Sequence, residues 1–193
     1  MHFDTTAERS DRGWLLGANT NLPPDVSVTW VRHVSDEFHA RFSATGRSYR
    51  YAILNRLERS ALHRHRAWWV YEPLDDKLMH EAAQRLLGQH DFSAFRAAGC
   101  QAKSATRELT AISVERDGNW LTVSVSANAF LMHMVRNITG TLAVVGRGEQ
   151  PPAWVADVLE SRDRTAGGIT APPHGLTLVS VDYPEEFGIP AAY

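Results

Sequence analysis

The stretch from residue 109 to residue 145 most narrows what this chain can fold into. Leu109 to Glu115 and Trp120 to Ser126 read as strands, and Asp117-Gly118-Asn119 between them has the residue types of a hairpin turn. Shortly afterwards the spacing changes. Leu131, Met134, Val135, Ile138, Leu142 and Val145 recur at helical intervals and predict a helix from Leu131 to Val145. A hairpin tied to a strongly apolar helix hides both apolar faces best by packing helix against sheet.

The rest of the chain is consistent with that arrangement. His2-Phe3 predicts the end of a strand, and Asp11 to Asn19 a short helix around Trp14, Leu15 and Leu16. Asn21-Leu22-Pro23-Pro24-Asp25 reads as a turn. Val26, Val28, Trp30 and Val34 give Val26 to Val34 the alternation of a half-buried strand. Phe38 to Phe42, Ser48 to Leu54 and Ala67 to Tyr71 are three further predicted strands. Asp75 to Leu87 is a helix by spacing, with Gly88 where a C-terminal cap belongs. Trp154 to Leu159 is a short helix opened by Pro151-Pro152, and Leu176 to Val181 a closing strand. The expected class is α+β, a mostly antiparallel sheet with helices packed on one face.

Composition leaves function open. Apolar residues make up 44% and charged residues 22%, ordinary for a globular chain. No apolar run has the length of a membrane span, and residues 1–6 lack the basic and apolar parts of a secretory signal. Cys100 is the lone cysteine, so it has no partner for an internal disulfide. Net charge is −2, but its distribution is uneven. Residues 40–66 hold seven arginines and one acid, Glu58, for a net of +6; residues 149–193 sum to −5. The asymmetry points to a local polyanion site.

Three constellations could carry chemistry. In Arg47-Ser48-Tyr49-Arg50-Tyr51, a strand puts Tyr49 and Tyr51 on one face and Arg50 on the other. A ring beside arginines suits a stacked base and a paired phosphate, and the same alternation suits any half-exposed strand. Arg136 lies opposite much of the 131–145 stripe, with Gly140 and Ala143 four and seven residues on. Small neighbours leave room for a backbone or a ligand, and a guanidinium there could grip a carboxylate or phosphate in two-point fashion; an ordinary surface arginine fits as well. His63 and His65, with His90 and His133, could be read as metal ligands of a hydrolase, but no carboxylate or cysteine stands at ligand spacing. No Gly-x-Ser-x-Gly elbow or phosphate loop is present.

Several blocks, in order, resemble the tRNA pseudouridine synthase A (TruA) family. They are Phe38-His39-Ala40-Arg41-Phe42-Ser43-Ala44-Thr45, then Arg47-Ser48-Tyr49-Arg50-Tyr51, Asp91-Phe92-Ser93-Ala94-Phe95, the Phe130 to Gly140 stretch, and the closing Gly175-Leu176-Thr177-Leu178. The resemblance implies a cytoplasmic, homodimeric isomerase. Such an enzyme turns uridine into pseudouridine in the anticodon stem-loop of tRNA, without cofactor, metal or membrane. It implies that Tyr49 packs on the target base and that Arg136 pairs with the catalytic aspartate. Arg41, Arg47 and Arg50 would contact RNA. The two departures, Met132 and Thr177, touch none of these roles.

The family's aspartate belongs to a Gly-Arg-Thr-Asp-Ala-Gly motif just before the His-Phe pair, and no Arg-Thr-Asp occurs in these 193 residues. The expectation is an N-terminally truncated member. Residues 1–34 would be the remnant of an N-terminal half and residues 35–193 the main domain. Such a chain is expected to be inactive alone and poorly soluble; the alternative is a non-catalytic RNA-binding remnant.

Overall fold

A computed structural model describes residues 1–190. The chain divides into two compact units: Thr45–Val181, and Met1–Ala44 with the segment that begins at Asp182.

The larger unit is built on a six-stranded sheet. Its strands are β1 (Gly46–Asn55), β2 (Trp68–Val70), β3 (Gly88–Asp91), β4 (Thr106–Asp117), β5 (Trp120–Ala127) and β6 (Leu176–Asp182). The order is β2-β1-β5-β4-β3, and β6 also pairs with β1. The β1–β5, β4–β5 and β3–β4 pairs are antiparallel, while β2 runs parallel to the end of β1. The turn at Gly118-Asn119 closes the β4–β5 hairpin where the sequence puts it. The class is therefore α+β, with a largely antiparallel sheet.

Register explains which side chains go inward. Tyr49, Tyr51 and Ile53 stand opposite Val125, Val123 and Leu121, and Ile112 and Val114 of β4 extend the same rows. A bulge between Leu109 and Ala111 shifts the period, so that Leu109 and Ile112 are both buried despite their odd spacing. Three helices contribute to the core over this face: α2 (Asp76–Gln84), α3 (Met134–Gly146) and α4 (Trp154–Ser161).

The helix predicted over 75–87 is shorter than its spacing suggests. Asp75 caps it, its carboxylate accepting from the Lys77 and Leu78 amides. Beyond Gln84 the bonds tighten to i→i+3, and Gly88, at φ +94°, opens β3 instead of capping a helix. The polar run Gly-Gln-His-Asp has no strand pattern; it becomes a strand because the free edge of β4 pairs with it. Arg116 ties these parts together, donating to the Asp76 carboxylate at 2.9 Å and to the Asn55 side chain and the Leu74 carbonyl.

In the smaller unit, α1 (Asp11–Asn21) forms as expected, with the Ser10 hydroxyl accepting from Gly13 N. The strands predicted at 2–3, 26–34 and 38–42 do not form. A strand needs a paired neighbour, and at Val28 and around His39 local side chains take the backbone groups instead. The Asn19 side chain accepts from Val28 N and donates to Val28 O, both at 2.8 Å. His39 Nδ1 accepts from the Arg41 and Phe42 amides, which bends 39–43 into a turn. Phe38, the buried side chain here, packs on Tyr183 and Phe187, and the Tyr183 hydroxyl donates to the Ala40 carbonyl.

Candidate active site

Helix α3 positions the arginine. The predicted start at Leu131 moves to Met134, because Leu131 to His133 form a turn whose Met132 carbonyl is held by Ala97 N. His133, left-handed at φ 60°, redirects the chain into the helix. Within α3 only Arg136 and Val144 escape full burial, so the helix is enclosed on nearly all sides. Arg136 is half-buried rather than an ordinary surface residue.

A strap of irregular chain, residues 167–172, runs along the Arg136 side of α3. The space left by Gly140 is filled by backbone. A Cβ there would lie 1.7 Å from the Ile169 carbonyl oxygen, so only glycine admits the strap. Polar groups lock it in place. Buried Asn137 donates to the Phe95 carbonyl at 2.7 Å and accepts from the Thr170 hydroxyl at 2.6 Å and from Arg164 at 3.1 Å. The Thr141 hydroxyl accepts from Gly168 N. These partners satisfy groups whose burial unpaired would each cost roughly 1–3 kcal/mol.

The strap then aims the arginine. Arg136 Nε donates to the Ala171 carbonyl at 2.6 Å, and Ala171 N returns a bond to the Arg136 carbonyl. One residue further, the Pro172 carbonyl accepts from the Tyr51 hydroxyl at 2.6 Å. Burial pushes the Tyr51 phenol well above its ordinary range, with the Arg136 guanidinium working the other way. Tyr51 is thus a neutral donor at physiological pH. Arg136 takes part in no ion pair among the described residues, and its two terminal nitrogens make no hydrogen bond there. They are the donors a two-point carboxylate or phosphate contact would use.

Tyr49 lies two residues before Tyr51 on the same face of β1. Its ring is half-buried and meets the edge of Phe130 at 5.1 Å, 87° between planes. Arg47 donates to the Asn128 carbonyl at 2.9 Å, which brings the start of β1 to the loop after β5. Arg50 is exposed on the opposite face of the sheet from Tyr49. Arg41 belongs to the smaller unit, its guanidinium 5.7 Å from the Phe42 ring centre.

Sequence reading missed the strap, the Asn137–Thr170–Arg164 network and Phe130 as a brace. Its nearest signal was the run of small residues after Arg136. Among the described residues, no three His, Cys, Asp or Glu side chains gather as a metal ion needs. His63 packs on Trp120 and His65 on His174. No helix among the described residues is long and apolar enough to cross a membrane.

Comparison with known proteins sets the class. Residues 82–184, from α2 through β6, match the family model described as tRNA pseudouridine synthase. The chain is 56% identical to the tRNA pseudouridine synthase A of Pseudoalteromonas atlantica over 190 residues, covering 98% of this chain and 72% of the relative. It is 54% identical to the protein of that name from Xanthomonas euvesicatoria, over 99% of this chain and 74% of the relative. The Nitrosococcus oceani protein of that name is 51% identical, over 98% and 73%. The chain belongs to the tRNA pseudouridine synthase A family.

Proposed function

We propose that this chain supplies the base-handling and arginine-bearing part of an enzyme that isomerises uridine to pseudouridine in the anticodon stem-loop of tRNA. Membership of a family whose relatives carry the name tRNA pseudouridine synthase A is the observation that carries this reading. The geometry is compatible with the following mechanism. The target base leaves its stack and rests on the Tyr49 ring, braced by Phe130. A carboxylate held by the terminal nitrogens of Arg136 attacks the nucleoside, and the bond from ribose to the uracil nitrogen breaks. The uracil turns on the flat ring, and a carbon of the base forms the new bond to the ribose carbon as the carboxylate leaves it. The displaced proton leaves that carbon with the help of Tyr49, and the freed ring nitrogen ends as N–H. Arg136 keeps the carboxylate ionised and aimed. Arg41, Arg47 and Arg50 contact the RNA, and the assembly is a cytoplasmic homodimer working without a cofactor. Residues 35–193 form the main domain in this reading, and 1–34 the end of a preceding half.

None of the 193 residues stands in an Arg-Thr-Asp sequence, and no described carboxylate pairs with Arg136. The polypeptide of these residues alone is therefore expected to bind tRNA without turning it over. The test is tritium release from C5-labelled uridine in an unmodified tRNA transcript. No release is expected from the 193-residue polypeptide, and pseudouridine formation by it would overturn the inactivity. A form extended upstream through an in-frame Gly-Arg-Thr-Asp is expected to release tritium and to lose that activity on Arg136→Ala. An inactive extended form, or an active Arg136→Ala, would sink the assignment. A stop codon directly upstream of Met1 would favour the second reading, an RNA-binding remnant, which rests on the net +6 of residues 40–66.

A further inference from the structure

A second basic concavity has Pro172 of the strap among its lining residues. It is a cavity of about 440 Å³ lined by Arg59, His63, Arg64, Trp68, Trp69 and His174, among others. Every lining residue belongs to the larger unit. No acid lines it, and neither Arg59 nor Arg64 forms an ion pair among the described residues. Two guanidinium groups without a counter-charge, in one concavity, repel each other and gain by sharing an anion.

The loop that presents them is ordered by its own bonds. His63 N donates to the Ser60 hydroxyl, and the Arg66 and Ala67 amides both donate to the His63 carbonyl. Arg64 Nε donates to His65 Nε2 at 3.0 Å, and the His65 ring meets His174 at 5.6 Å. The Trp69 indole N–H reaches back to the Arg56 carbonyl at 2.9 Å, which leaves the ring 40% exposed. Charge and a flat aromatic surface therefore line one cavity, the pairing that polynucleotides use through phosphate and base. Pro172 lines the cavity and also accepts the Tyr51 hydroxyl, and its neighbour Ala171 holds Arg136. One short segment thus touches both this cavity and the residues of the proposed active site.

We infer that this cavity is an auxiliary RNA subsite, in which Arg59 and Arg64 hold a backbone phosphodiester of the tRNA beside the Trp69 ring. The inference rests on the tRNA-modifying reading above and extends it to residues that reading does not use.

The test is tRNA binding by the 193-residue protein, followed over a salt series. The double variant Arg59→Gln, Arg64→Gln is expected to bind roughly tenfold more weakly, as loss of charge-assisted contacts implies. Its plot of log K against log salt is expected to be shallower by about 1 per arginine removed. Arg59→Lys with Arg64→Lys should keep most of the slope. Arg85→Gln, on an exposed turn after α2, controls for net charge. If the wild type binds tRNA and the double variant binds equally well, or loses no more per charge than Arg85→Gln, the subsite is wrong and the functional reading stands. If the wild type does not bind tRNA, both fall. Inorganic phosphate at constant ionic strength separates a free-anion site. Displacement of tRNA by phosphate where chloride has no effect would overturn the RNA assignment. Displacement by polyglutamate but not by oligouridylate would place an acidic protein there and overturn it too.

Discussion

The two units of this molecule are held together differently. In Thr45–Val181 the inward rows of β1, β4 and β5 and the inward faces of α2, α3 and α4 merge into one apolar core, in which Tyr51, Phe92, Phe95, Ile138 and Leu142 are fully buried. In Met1–Ala44 with the segment from Asp182, Phe38 is the one buried apolar side chain among the described residues, and Phe3, Val26, Trp30 and Phe42 are exposed. Side-chain caps do the work there: Ser10 on α1, Asn19 on Val28, His39 on the turn that follows it. Each such bond contributes only about 0.5–1.5 kcal/mol net, whereas burying one large apolar side chain contributes about 1.5–3 kcal/mol. Similar hydrophobic alternation therefore has different consequences in the two units. It stabilises a strand only where a partner strand and a covering layer exist.

Substitutions can break or sharpen that contrast. Phe95→Ala opens a cavity in the larger core beside the carbonyl that Asn137 holds, and is expected to cost about 3–5 kcal/mol in urea unfolding. A cost below 1 kcal/mol would mean that this core is not the main source of stability.

Tyr51→Phe keeps the ring and deletes the bond to Pro172, with an expected loss of about 1 kcal/mol at neutral pH. Its pH dependence is the sharper readout. The folded phenol titrates above its ordinary value of about 10. Its contribution is complete below pH 10 and declines as pH rises from there toward the folded value. Wild-type stability should therefore fall more steeply above pH 10 than that of Tyr51→Phe. Parallel curves would mean that the hydroxyl is not held as described.

The smallest effect is expected in the other unit. Trp30→Ser should change stability by no more than about 0.5 kcal/mol, because the ring is 41% exposed and lies in no strand. A loss as large as that of Phe95→Ala would erase the difference between the units.

Much of the larger unit was legible in the residue pattern. The β4–β5 hairpin, β1, β6, α2 and the apolar stripe of α3 follow from local periodicity, since each buries a face that recurs at its own period. Tyr49 and Arg136 were nameable for a different reason, because they sit in blocks resembling a family. Three things were not legible. β3 is a polar tetrapeptide paired only because β4 has an open edge. The bulge at Leu109/Ala111 breaks the alternation. The strands expected at 26–34 and 38–42 gave way to Asn19 and His39, whose side chains compete for the same backbone groups.

By itself, the sequence determined the class of fold, the two tyrosines on one face of a strand, and an arginine followed by small residues on an apolar helix. Those are local matters, settled by side-chain period and residue type. Tertiary structure decided what fills the space beside Gly140, which carbonyl Arg136 takes, and that residues between 59 and 69 line a basic cavity together with Pro172 of the strap. These depend on segments far apart in sequence meeting in space, as Arg136 and Ala171 do across 35 residues. No period along the chain encodes such a meeting. It arises when buried polar groups such as Asn137 must find partners wherever the packed chain brings them.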